Sequence, residues 1–161
     1  IIIYIMGKKK MHFLVFNNKR VFFDYEILDK IEAGMILTGC EVKSIRNSKI
    51  SMNGSFCVID KNEIFVKNIN ISSYKEGSYN NVDEPRRDRK LLLHKNQINK
   101  LKSKIDEKGL TIVPIKIYEN DKGIFKMEIG IARGRKNINK KEYIKEREER
   151  KIIKNDYSIN I

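Results

Sequence analysis

The stretch Leu110–Ala132, LTIVPIKIYENDKGIFKMEIGIA, decides the fold class. Two runs rich in β-branched and aromatic residues flank Asn120-Asp121-Lys122-Gly123, which reads as a turn, so the segment predicts a β-hairpin. Alternation puts Val113, Ile115 and Ile117 on one face of the first strand and Phe125, Met127, Ile129 and Ile131 on one face of the second. Pro114 cannot donate to a ladder, which assigns it to a strand edge or a bulge.

Upstream of the hairpin, His94 to Lys108 carries Ile98, Leu101 and Ile105 at helical spacing, with lysines on the other face and Gly109 where a left-handed terminating residue is expected. Asn53-Gly54 and Asp60-Lys61-Asn62 frame strands over Ser55 to Ile59 and Glu63 to Ile69, a second hairpin. Lys19 to Leu28 reads as a strand, Asp29 to Ala33 as a short helical turn ended by Gly34, and Met35 to Asn47 as a longer strand with Glu41 and Lys43 facing outward. Ser72 to Lys90 is polar, rich in arginine and without periodicity, the composition of a long functional loop. Many short strands with one clear helix predict a mainly β fold, a small antiparallel barrel whose closure protects its edges. No internal repeat is present.

The 161 residues suit one domain with a tail, and the net charge of +13 favours a polyanionic partner, nucleic acid before an anionic membrane surface. No apolar run approaches the roughly 20 residues of a membrane helix. Cys40 and Cys57 lie in apolar contexts without a CxxC pair, which predicts free thiols in a reducing compartment. No spacing joins them to His12 or His94 as a zinc set, and no metal or other cofactor is expected. Nucleophile-elbow and phosphate-loop motifs are lacking, so the chain does not read as an enzyme. A metal-dependent RNA nuclease built on Asp24, Asp29, Glu32 and Glu41 is a distant reading.

The segment Glu32–Arg46, EAGMILTGCEVKSIR, resembles the signature of the SsrA-binding protein (small protein B) family, the partner of transfer-messenger RNA. NNKRVFFDYEI (Asn17–Ile27), PRRDRKLLLHK (Pro85–Lys95), GLTIVPIKIY (Gly109–Tyr118) and MEIGIARGRKNINKKEYIKERE (Met127–Glu148) follow the same family's order and spacing. The resemblance implies an oligonucleotide-binding-like β-barrel that binds the tRNA-like domain of transfer-messenger RNA, for delivery with the elongation factor that carries aminoacyl-tRNA. It also implies a tail that enters the decoding centre and messenger channel of the small ribosomal subunit. The same barrel and charge would serve a general single-strand RNA-binding or ribosomal protein. Family members tend to open with Met and lysines, so Met6-Gly7-Lys8-Lys9-Lys10 looks like the ordinary start and the five residues before it like a leader remnant or read-through. An AT-rich bacterial cytoplasm or the stroma of a bacterial-type organelle fits the Ile, Lys and Asn usage.

The domain boundaries drawn from these patterns are 1–16 for an N-terminal extension, 17–133 for the RNA-binding barrel and 134–161 for a basic tail that is disordered alone and helical on the ribosome. Candidate RNA contacts are Asn18, Lys19 and Arg20, then Glu41, Lys43 and Arg46, then Arg86, Arg87, Arg89 and Lys90, with Lys126 on the last strand. Guanidinium groups suit phosphate, and a carboxylate can position them or accept from a 2′-hydroxyl. Tyr74 and Tyr79 could stack on bases. On the ribosome the candidates are Gly134, Arg135, Lys136, Asn139, Lys140, Lys141, Lys145 and Arg147. Asn139 stands where family members commonly carry an acidic residue, so the hydrogen bonding is kept and the charge lost.

Overall fold

The computed structural model describes residues 14–73, 84–135, 144–146 and 148. Its last hairpin is the expected one. Strand β8 (Thr111–Glu119) pairs antiparallel with β9 (Phe125–Gly134), from Thr111 opposite Ala132 to Glu119 opposite Phe125. The register shifts between Pro114 and Lys116, so the proline sits at a bulge. One extra residue inverts the alternation. Ile112 and Ile117 therefore join the main core, while Val113 and Ile115 point the other way, against Val21 and Ala132. The expectation that Val113, Ile115 and Ile117 share a face is thus corrected. Gly130 lies under this second cluster, where a Cβ would stand 2.8 Å from Ile115 Cδ1 and 3.2 Å from Ile27 Cγ2. Gly130→Val should cost about 1–3 kcal/mol through overpacking, read as a lower urea midpoint.

Around this hairpin come β1 (Val15–Asn17), helix α1 (Val21–Asp24), β2 (Tyr25–Met35), helix α2 (Gly39–Arg46), β3 (Ile50–Ser51), β4 (Phe56–Asp60), β5 (Glu63–Lys67), β6 (Asn70–Ile71), β7 (Arg89–Leu92) and helix α3 (Lys95–Lys108). Strand pairing runs β8-β4-β5-β7-β2-β9 and returns to β8, a closed antiparallel ring, with β1 added along β8. Strands β3 and β6 form a separate ribbon. The β4–β5 hairpin turns through Lys61 and Asn62, both left-handed at φ 46° and 63°, the two-residue turn that matches strand twist. Ile64, Val66, Leu91, Met127 and Ile129 fill the barrel, and Leu101 of α3 and Ile45 of α2 are buried with them. Gly109 ends α3 in the left-handed conformation, as expected.

Three local readings are corrected. Val21–Asp24 is a helical turn rather than part of a strand. Asp29–Ala33 is not helical but the middle of β2, whose pairing with β9 spans Tyr25 to Gly34, with a bulge between Ile27 and Asp29. Met35–Asn47 is not a strand, because Thr38 starts α2: its hydroxyl accepts from Glu41 N at 3.3 Å, while Glu41 Oε2 accepts from Thr38 N at 2.9 Å. This reciprocal cap satisfies two orphan donors and is written in the sequence as Thr-x-x-Glu. Helical spacing then buries Glu41, Ser44 and Ile45 together.

Candidate nucleic-acid interface

The register aligns a lateral row across five strands: Leu92 opposite Gly34, Gly34 opposite Lys126, Lys126 opposite Tyr118, and Tyr118 opposite Val15. Because the pleat sends alternate residues to opposite faces, this row shares the barrel's outer face with a second one, Glu32, Glu128, Lys116 and Asn17. Leu92 and Val15 are 52% and 48% exposed. Gly34 leaves a dip beside Leu92, whose Cβ would be 3.3 Å from a Cβ at position 34.

Charges on this face are held in place. Lys126 Nζ lies 3.5 Å from Glu32, whose other carboxylate oxygen accepts from the Tyr118 hydroxyl, and Lys116 and Lys30 bind Glu128 at 2.9 and 3.3 Å. Lys116 Nζ also stands 5.4 Å from the Tyr118 ring centroid. Partial desolvation, then the bond to Glu32, pushes the Tyr118 pKa up to about 12, so the phenol stays a donor. Partial burial opposes the Glu128 charge, but hydrogen bonds from Lys116 and Lys30 outweigh it and lower its pKa. The Tyr118 hydrogen bond lowers Glu32 in the same way.

A group whose pKa falls on folding contributes its full stability above the unfolded value, here the ordinary 4.5, and loses it as pH falls through the folded value. Urea midpoints should therefore drop on acidification between about pH 5 and 3, less steeply in Glu128→Gln. An unchanged slope in that variant would remove Glu128 from the linkage.

An exposed aromatic and aliphatic strip edged by preoriented ammonium groups suits unpaired bases and their phosphates. Of the residues in it, Lys126 was legible from sequence. Glu32, Gly34, Leu92 and Tyr118 were not, because their adjacency depends on register between distant segments.

Several other candidates are spent inside the fold. Asn18 is buried, donating to Pro114 O at 3.0 Å and Met52 O at 3.5 Å, where it satisfies a carbonyl at the β8 bulge. Glu41 is only 3% exposed and accepts from Arg87 Nε at 2.9 Å, from the Arg87 NH2 group and from Arg89 Nε at 2.8 Å. Arg89 is wholly buried and also donates to the carbonyls of Ile69, Arg87 and Pro85. The outward placement of Glu41 is therefore corrected, and the reading of Asn18, Glu41 and Arg89 as RNA contacts does not fit their burial: Asn18 ties the end of β1 to the β8 bulge, while Glu41 and Arg89 tie α2 and the end of the long loop to the barrel. Arg87 is the partly exposed member of this knot, and Arg86 beside it is exposed.

Arg46 clamps α2 to the last hairpin through Glu119 at 2.6 Å, and Lys90 pairs with Glu63. Lys43 is exposed on α2. Lys19 and Arg20, the latter 3.2 Å from Asp24, occupy the turn before α1. The chain leaves the barrel next to them, since Arg135 N donates to Asp24 O at 2.9 Å and its Nε to Tyr25 O at 3.2 Å. Gly134 is the last residue of β9, and Lys145 is exposed in a helical stretch. Lys136, Asn139, Lys140, Lys141, Arg147, Tyr74, Tyr79 and the N-terminal extension through residue 13 lie outside the described residues.

Among the described residues no group of three or more His, Cys, Asp or Glu side chains could hold a metal ion, and no helix is long and apolar enough to cross a membrane. Cys40 and Cys57 are free thiols, the second buried and its pKa pushed up by desolvation.

The family model described as "SmpB protein" matches residues 15–158. The SsrA-binding protein of Thermosipho melanesiensis is 50% identical over 135 residues, 84% of this chain and 91% of the relative. That of Thermus thermophilus is 49% identical over 137 residues, 85% and 91%. A solved structure titled "tmRNA-SmpB: a journey to the center of the bacterial ribosome" superposes with a TM-score of 0.63 at 49% identity, covering 77% of this chain and 86% of that one. With the barrel, its last hairpin and the Glu32–Arg46 signature all in agreement, this chain belongs to the SsrA-binding protein (SmpB) family.

Proposed function

We propose that this protein binds the tRNA-like domain of transfer-messenger RNA through the Leu92–Gly34–Lys126–Tyr118 face and brings it to stalled bacterial ribosomes for trans-translation. The observation that carries the reading is that row: five strands bring an aromatic ring, exposed aliphatic groups and held lysines onto one solvent-facing strip. RNA with unstacked bases fits it better than a regular duplex, whose backbone alone needs only charge. The relatives' designation as SsrA-binding proteins supports the RNA's identity. No catalytic chemistry is required, so the protein acts as a cytoplasmic, ribosome-associated binding factor rather than an enzyme.

The tail from Gly134 enters the vacant decoding centre and messenger channel, and the elongation factor that carries aminoacyl-tRNA escorts the complex there. Lys19, Arg20 and Arg135 stand together where the tail leaves, so they face the ribosome in this arrangement. Arg86 and Lys43 remain phosphate contacts at the barrel's rim.

Competition between the tRNA-like domain and an unrelated structured RNA tests the function. Equal displacement by both would leave a general single-strand RNA-binding protein, which the same strip could serve. Lys126→Ala should reduce the salt dependence by about one unit of log K against log salt, the share of one phosphate contact. An unchanged slope would take Lys126 out of the interface.

A further inference from the structure

Strand β4 meets β8 at a single register pair, Cys57 opposite Ile112, so the barrel seam gapes beside α3. A cleft of about 550 Å³ opens there, within the range of small-ligand sites. Its floor is apolar, formed by Cys57, Ile105, Leu110 and Ile112, and its rim carries Lys61, Asn62, Lys102 and Asp106. In the barrel ring the seam lies opposite the β7–β2 pair that carries Leu92 and Gly34.

Two features bear on what this cleft could hold. Lys61 and Lys102 have no ion-pair partner among the described residues, which they share with surface lysines such as Lys19, Lys49 and Lys122, but of these only Lys61 and Lys102 line the cleft. Lys61 and Asn62 are also held in left-handed backbone by the tight β4–β5 turn, which fixes the position from which their side chains leave. An apolar floor suits the face of a base, an unengaged ammonium pair suits one phosphate, and Asn62 and Asp106 supply an amide and a carboxylate for a base edge. The single carboxylate disfavours a pyrophosphate or a bare multivalent anion.

We propose that the β4–β8 seam is a second RNA subsite, one that takes a single unstacked nucleotide, preferably one whose base carries an exocyclic amino group. It goes beyond the sheet-face interface and does not depend on it. An RNA that reached both would be gripped at two places on the barrel, which would favour a bent or looped single strand over a straight one.

Cytidine 5′-monophosphate titrated into the isotope-labelled full-length protein is the test, with inorganic phosphate and cytidine as separate arms. The expected result is saturable amide shifts confined to Asn62, Lys102, Asp106 and Thr111, stronger for the nucleotide than for either fragment. Lys61→Asn with Lys102→Gln keeps a residue tolerant of left-handed backbone in the turn and a helix former in α3, and should weaken binding about tenfold. Lys126→Ala should leave the nucleotide shifts unchanged while weakening RNA at the sheet face, which separates the two sites. Shifts scattered over surface lysines, equal shifts from inorganic phosphate, or nucleotide binding unaffected by the double substitution would each overturn the proposal.

Discussion

Glu41→Ala is expected to lower stability by about 3–5 kcal/mol, the usual cost of leaving a buried charge uncompensated. At this chain length that corresponds to a fall in melting temperature on the order of 10 °C. The carboxylate receives Thr38 N–H, Arg87 and Arg89, and Arg89 has no solvent to turn to because it is wholly buried. Removing Glu41 therefore strands a guanidinium, uncaps α2 and frees the segment before β7. Arg87→Ala should cost much less, since that side chain is 27% exposed. Replacing Glu41 and Arg89 together by Leu and Met should recover only part of the loss, because it removes the stranded charge but leaves Thr38 N–H and the carbonyls of Ile69, Arg87 and Pro85 without these partners. Circular dichroism melts of the three variants read this directly. A Glu41→Ala melt within a degree or two of the parent, with RNA binding lost, would restore Glu41 to the RNA surface.

The second large effect concerns the tail. Arg135→Ala with Lys136→Ala should leave affinity for the tRNA-like domain within roughly twofold and abolish tagging of nascent chains on stalled ribosomes. Arg135 is anchored at its backbone by Asp24 and at its guanidinium by Tyr25, so it sets where the tail departs, on an edge of the barrel distinct from Lys126 and Tyr118. A basic segment that gains order inside an empty phosphate-lined channel would sense whether message fills it. Ribosome-dependent tagging and filter binding, measured on the same preparation, separate the two tasks. Normal tagging by the double variant would defeat the channel role while leaving the family assignment untouched.

Both expectations depend on knowing which groups face solvent. Residues 39–46 show how that knowledge arises. As a strand, alternation sent Glu41 outward. As a helix started by Thr38, the same residue turns into the barrel and meets arginines 46 and 48 positions later in the chain. The cap was visible in the sequence, but β-rich surroundings made the strand reading compete with it, and only packing of Ile45 into the core settles the contest. Asp29–Ala33 failed in the opposite sense, since the partner that makes it a strand is β9, far downstream.

By itself the sequence determined what local chemistry controls: the β8–β9 and β4–β5 hairpins from their turns, α3 from its period and terminal glycine, an edge or a bulge at Pro114 from its missing donor, and the family from ordered blocks. Alternation placed Phe125, Met127, Ile129 and Ile131 on one face, but elsewhere only the tertiary structure decided which face a residue serves. The bulge after Pro114 reversed Ile115 relative to Ile117, Arg89 left the basic surface for the interior, and Val15, Gly34, Leu92, Tyr118 and Lys126 became neighbours. The physical reason is that turns and caps are set by residues within a few positions of one another. Strand register, by contrast, is set by how the whole barrel buries its apolar faces, and a shift of one residue moves every side chain beyond it to the other side.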